Sequence, residues 1–301
     1  MQRVSWLNLH FHIPQRDVRK LIYAMLDEGD RIAIQMAHNR NWFCPSWLDA
    51  FSRHCAKNGY IDLCEWAILK GYAMYNHMDV EAAIYGKLDI LIWLESKGRS
   101  LNDIPIVANA AENGHLHVLR WMKENNYTIG SNICHYAAKG GHLNVIEWAT
   151  EHCFDGGGIG DYQTQAAAAK YGHLHILKWI HNRAISISVY ACINKTVRHG
   201  HYETFLWLVT ILGVEVDILT FHKAAKGGNI KILESLYAFG CEWSEWTAAY
   251  ASWGGNLLAL QWLIEKGCPW DDWIVVYARQ EGHAHILGWF LNFSKNEGVP
   301  Q

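Results

Sequence analysis

The apolar positions of this chain follow a pattern that recurs at nearly constant intervals. In CHYAAKGGHLNVIEW, Cys134 to Trp148, a small pair, Ala137-Ala138, stands three residues before Gly141. After the Gly-His turn comes an apolar stripe, Leu143, Val145, Ile146 and Trp148. Equivalent glycines fall at Gly59, Gly86, Gly114, Gly141, Gly172, Gly200, Gly228, Gly255 and Gly282, with successive spacings of 27, 28, 27, 31, 28, 28, 27 and 27. Seven residues after each anchor the chain reads Trp66, Trp93, Trp121, Trp148, Trp179, Trp207, Ser235, Trp262 and Trp289.

Each unit divides into two predicted helices. Leu116, Leu119, Trp121 and Met122 share one broad apolar face, as a half-buried helix requires. Small residues before the anchor, such as Ala82-Ala83, Ala110-Ala111 and Ala224-Ala225, let neighbouring helices approach closely. Gly71, Gly98, Gly240 and Gly267, each twelve residues past an anchor, suit left-handed C-caps. A unit this short cannot bury its apolar faces alone, so stacked copies must bury them against each other. The expected fold is therefore all-α, a helical-repeat solenoid in which the recurring Trp sits in the core between repeats.

NICHYAAKGGHLNVIEWATEHC resembles the ankyrin repeat. His135, Ala137, Ala138, Gly141, His142, Leu143, Val145 and Ile146 match its pattern, and His222, Ala224, Ala225 and Gly228 repeat the match. The departures are the Trp, where the family usually carries Leu, and a period below the family's usual length. GCEWSEW (240–246) and GCPWDDW (267–273) resemble the short-fingered ankyrin arrays abundant in large DNA viruses of protists, and in some algae and oomycetes. The resemblance implies an ankyrin-like solenoid with shortened fingers, nine repeats over 47–301 with a C-terminal cap, and a viral protein working in the host cytoplasm. It further implies a protein-interaction module that binds a partner on its concave face.

Residues 1–46 lie outside the period. HIPQRDVRKLIYAMLDEGD, followed by Trp42, is weakly similar to an F-box, which would recruit a Skp1-type adaptor through residues 11–43 and make the array a substrate receptor of a ubiquitin ligase. The alternative is an N-terminal helical cap shielding the first repeat.

Composition narrows the function. The formal net charge of −3 carries none of the basic excess of a phosphate-backbone binder, which makes nucleic acid an unexpected partner. No apolar run is long enough for a membrane span, and the opening MQRVSWLNLHFHIP lacks a secretory h-region, so a soluble, cytoplasmic protein with no membrane partner is expected. The eight cysteines form no Cys-x-x-Cys pair, and free thiols are expected, Cys241 and Cys268 among them.

Candidate chemistry is sparse. His115, His142, His173, His201 and His283 directly follow anchor glycines, where the ankyrin family uses a structural turn hydrogen bond. His117, His175 and His285 stand two residues further on, a spacing that on a helix points to different sides and disfavours a shared metal. No phosphate loop or nucleophile motif stands out, so neither an enzyme site nor a cofactor is expected. One column differs. Two residues before successive anchors stand Lys139, Lys170, Arg198 and Lys226, a cation in each of repeats four to seven, and Trp253 closes the run. Tyr136 and Tyr250 flank it. In a stacked array this column becomes a basic stripe suited to an acidic protein partner, or else an ordinary solvated face. CFDGGGIGDYQT, Cys153 to Thr164, carries the one long spacing and is either a projecting loop on the binding side or a neutral insertion.

Overall fold

A computed structural model describes residues 45–69, 77–101, 104–153 and 161–296. Residues 1–44 of the F-box-like or capping segment 1–46, Gly71, most of the glycine-rich insertion (154–160) and the side chain of Trp66 lie outside the described residues. The expected boundary at 46/47 falls within the first described helix, Pro45–Asn58. Every regular element among the described residues is an α-helix, and none is long and apolar enough to cross a membrane.

The chain forms two compact units, dividing between Gly130 and Ser131. Among its described residues the first holds three helical hairpins: α1 (Pro45–Asn58) with α2 (Ile61–Leu69), α3 (Met78–Ile84) with α4 (Leu88–Ser96), and α5 (Ile104–Glu112) with α6 (Leu116–Glu124). Their first helices pack in series, α1 on α3 on α5. Among its described residues the second unit holds six hairpins: α7 (Ile133–Gly140) with α8 (Leu143–His152), α9 (Tyr162–Tyr171) with α10 (Leu174–Asn182), and α11 (Val189–His199) with α12 (Tyr202–Thr210). There follow α13 (Ile218–Gly227) with α14 (Ile230–Ala238), α15 (Glu245–Trp253) with α16 (Leu257–Glu265), and α17 (Trp273–Gln280) with α18 (Ala284–Asn296). Here too the first helices stack in order from α7 to α17.

The small pairs make this stacking possible. From Cys55-Ala56 to Ala251-Ser252, every member of the pair is fully shielded. In the last repeat Arg279 takes the second place and is exposed. The same closeness explains Gly227: a Cβ there would stand 2.6 Å from the carbonyl oxygens of Val197 and Arg198 on the preceding first helix.

Second helices supply the apolar interior, with Val145, Ile146, Ile176, Leu177, Phe205, Ile232, Leu233 and Leu260 fully buried. The Trp column roofs this interior rather than filling it. Trp93, Trp148 and Trp207 are buried, whereas Trp121, Trp179, Trp262 and Trp289 are half-buried. Their partners still lie across repeats: His181 meets Trp207 edge-on at 5.8 Å, and Trp262 packs against Tyr237 and Trp243. An indole is too large for the space between close helices, so it lies along their outer seam with one edge toward water.

All nine anchor glycines have positive φ, between 64 and 84°. The second set of glycines, Gly98, Gly240 and Gly267, is left-handed as well. Two repeats use other residues for that turn: Asn126 at φ 62° and Ala184 at φ 57°.

Equivalent thiols bridge repeats. Cys241 donates to the carbonyl of Asp217 at 3.2 Å and Cys268 to that of Ser244 at 3.5 Å, each acceptor being the N-cap residue of the preceding first helix. Both cysteines are free. Burial, the larger cause, with nearby carboxylates pushes Cys241 up to about 11, and burial first pushes Cys268 up to about 12, so both stay protonated.

Candidate functional site: the outer face of the first helices

The histidines are connectors. His115 Nε2 lies 2.8 Å from the carbonyl of Ile84, His173 Nε2 3.2 Å from that of Lys139, His201 Nε2 2.6 Å from that of Lys170, and His283 Nε2 3.3 Å from that of Trp253. A carbonyl only accepts, so each Nε2 carries the hydrogen. These bonds run between repeats, from each turn back to the end of the preceding first helix. His117, His175 and His285 bond the anchor carbonyls of Gly86, Gly141 and Gly255 at 2.9, 3.0 and 3.1 Å.

The expectation that these paired histidines point to different sides fails. Each pair sits side by side, ring centres 5.8–5.9 Å apart, with both rings reaching back to the preceding turn. The first of each pair is the N-cap of its helix or the residue just before it, outside helical geometry, so the helical spacing rule does not govern it. Among the described residues no group of three or more His, Cys, Asp or Glu is arranged to hold a metal.

Outward from this ladder, the first helices of the second unit present two kinds of surface. At their C-terminal ends stand the predicted cations: Lys139 lies in the last turn of α7, Lys170 in that of α9, Arg198 in that of α11 and Lys226 in that of α13. Cations in a last turn also suit the helix dipole, which is the purely structural reason for their presence. Lys170, Arg198 and Lys226 have no salt bridge with a carboxylate among the described residues.

Their charges add up locally. His199 is held below its ordinary value, by burial first and then by Lys170, Arg198, His201 and Lys195. Lys226 is also lowered, chiefly by burial and next by Arg198, while Glu281 opposes the shift.

Past Lys226 the face turns aromatic. Its Nζ stands 2.9 Å from the ring centre of Trp253. From there six rings form an unbroken chain. His222 stacks on Tyr250 (5.2 Å, 10°), Tyr250 meets Trp253 (5.4 Å), and Trp253 stacks on Tyr277 (5.2 Å, 14°). Tyr277 then meets Trp273 (5.5 Å), and Trp273 meets Trp246 (5.4 Å). Trp253 Nε1 donates to Glu281 at 3.2 Å. Trp246 and Trp273 are 37% and 41% exposed, large values for indoles.

Of the residues singled out in the sequence, Lys226, Trp253 and Tyr250 come together directly, and Lys170 and Arg198 share the positive patch. Tyr136 stands apart, packed against its own neighbour His135 at 5.5 Å. The sequence reading missed His222, Trp246, Trp273 and Tyr277. The signal was present in GCEWSEW and GCPWDDW, whose paired tryptophans divide the work. Trp243 and Trp270 turn inward, Trp243 stacking on Tyr237 at 4.9 Å and Trp270 meeting Phe290 at 5.3 Å. Trp246 and Trp273, three residues later and at the start of α15 and α17, turn outward.

Neither a family model nor a curated protein matches this chain.

Proposed function

We propose that this chain is a non-enzymatic protein-interaction module, an ankyrin-like solenoid that holds a partner, acidic where it meets the protein, on the outer face of its first helices. The observation that carries this reading is the cation column, Lys139, Lys170, Arg198 and Lys226, in four consecutive hairpins of one stacked unit. A rigid stack turns a residue repeated once per hairpin into a line of charge at fixed spacing, and such a line selects and steers an opposite charge. Free, protonated cysteines fit a reducing, cytoplasmic setting.

The test is affinity purification from cells with the native chain and with Lys139, Lys170, Arg198 and Lys226 all changed to Glu. Loss of the captured partner with the helical signal intact supports the reading. Undiminished capture by the variant refutes it.

A further inference from the structure

We infer that the partner segment is bipartite: a run of carboxylates lying on Lys139, Lys170, Arg198 and Lys226, with an aromatic or other large apolar side chain at one end seated on Trp246, Trp253, Trp273 and Tyr277. The inference rests on the interaction reading above and specifies its ligand.

Two neighbouring surfaces of opposite character point to it. The cations of repeats five to seven, Lys170, Arg198 and Lys226, form no salt bridge among the described residues and act on one another: after burial, the larger cause, Lys170 and Arg198 lower His199 and Arg198 lowers Lys226. Bringing carboxylates alongside relieves that repulsion. The six-ring chain meets this patch at the contact of Lys226 with Trp253. Its tryptophans at 246 and 273 give up much of their area to water although each ring is already held by a neighbour. Pre-ordered, exposed indoles lose little entropy on binding, which is why such rings dominate binding energy at interfaces. Glu281, bonded to Trp253 Nε1, closes the positive patch on this side and keeps further carboxylates off the aromatic end.

Stacked helices repeat every ~8–10 Å, so the two surfaces together span on the order of 40 Å. An extended chain advances about 3.3 Å per residue, so about 12 residues cover the site with carboxylates at every third position.

The experiment uses the full chain and fluorescence anisotropy. The first labelled peptide has about 12 residues, Glu at every third position and Trp-Leu-Trp at one end, and is made with the aromatic end at either terminus. The second replaces Trp-Leu-Trp by Ser-Gly-Ser, and the third replaces Glu by Gln. A single-stranded oligouridine of similar length covers the competing macromolecule, since aromatic and basic surfaces also suit unpaired bases.

The bipartite peptide, in one orientation, is expected to bind about tenfold more tightly than either half. Trp246→Ser with Trp273→Ser should reduce it to the acid-only level, and Lys170→Glu with Arg198→Glu to the aromatic-only level. Should the double Trp variant lose its helical signal, Trp273→Ala alone replaces it. Salt should weaken the acidic half and leave the aromatic half nearly unchanged. Equal affinity of the bipartite and acid-only peptides overturns the inference. So does indifference to the Trp changes, tighter binding of oligouridine, or binding of none of the peptides. Cellular partners lost on reversing the four cations but retained by the Trp variant would leave the interaction reading standing and remove only the bipartite ligand.

Discussion

The Nε2 of His201 lies 2.6 Å from the carbonyl oxygen of Lys170, one repeat earlier, and the same ring packs over Gly172. One side chain thus satisfies a carbonyl left open at the end of α9 and fills the space above a left-handed turn. Asn256 does the equivalent task two repeats on, its Nδ2 donating to the carbonyl of Lys226 at 2.8 Å. His201→Asn should therefore keep most of the stability, and His201→Ala should lose about 1 kcal/mol or somewhat more. Urea denaturation of the two variants checks the order; equal losses would mean the bond contributes nothing.

Gly172 has φ +78°, and a Cβ there would stand 2.5 Å from His201 Nδ1. Gly240 has φ +74° and nothing within 4 Å. Gly240→Ala should cost about 1–2 kcal/mol, the backbone strain alone. Gly172→Ala should cost more, and adding His201→Ala should recover part of the excess. A double-mutant cycle measures that coupling, and strictly additive costs would contradict it.

Ala184 occupies the same kind of turn at φ 57°. Since its side chain is exposed, removing the Cβ forfeits no packing. Ala184→Gly should raise stability by about 1 kcal/mol, visible as a higher melting temperature.

Trp207 is 8% exposed and lies over the interior of its hairpin, while Trp273 is 41% exposed on the face proposed for binding. Trp207→Ala should destabilise by about 3–5 kcal/mol, as loss of a buried indole does. Trp273→Ala should change stability far less. Comparable unfolding midpoints for the two would break the distinction between a buried roof and an exposed ring.

Acid should loosen the stack. His173 is held below its ordinary value of 6.5, by burial first and then by His175, His142 and His201, against the favourable bond to Lys139. His222 is lowered by burial despite Asp217 and Glu245. The folded chain therefore binds fewer protons than the unfolded chain as pH drops beneath 6.5. Stability should be full above that value and fall below it. Denaturation midpoints across pH 5–8 test this, and His173→Asn should flatten the fall.

The period, the paired helices and the two left-handed turns were legible in the sequence, because each is a local demand. Glycine answers a positive φ, small residues answer close helices, and a helical stripe answers one buried face. The small pairs at Ala137-Ala138 and Ala224-Ala225 are buried as their spacing implies. The cation column was legible for the same reason, since repetition carries one residue per hairpin to one face.

What lay beyond the sequence is where side chains end once hairpins stack. Nothing in Gly-His-Leu-His declares that both rings reach back to the previous repeat, because their acceptors lie 31 or 34 residues away. Nor does W-x-x-W reveal which indole turns inward and which joins the exposed chain of rings. Local rules act through φ, ψ and helical phase, and so the chain alone settled its hairpins. The direction of a long or flat side chain depends on the surface it meets, and that surface belongs to the neighbouring repeat, so only the tertiary structure could decide it.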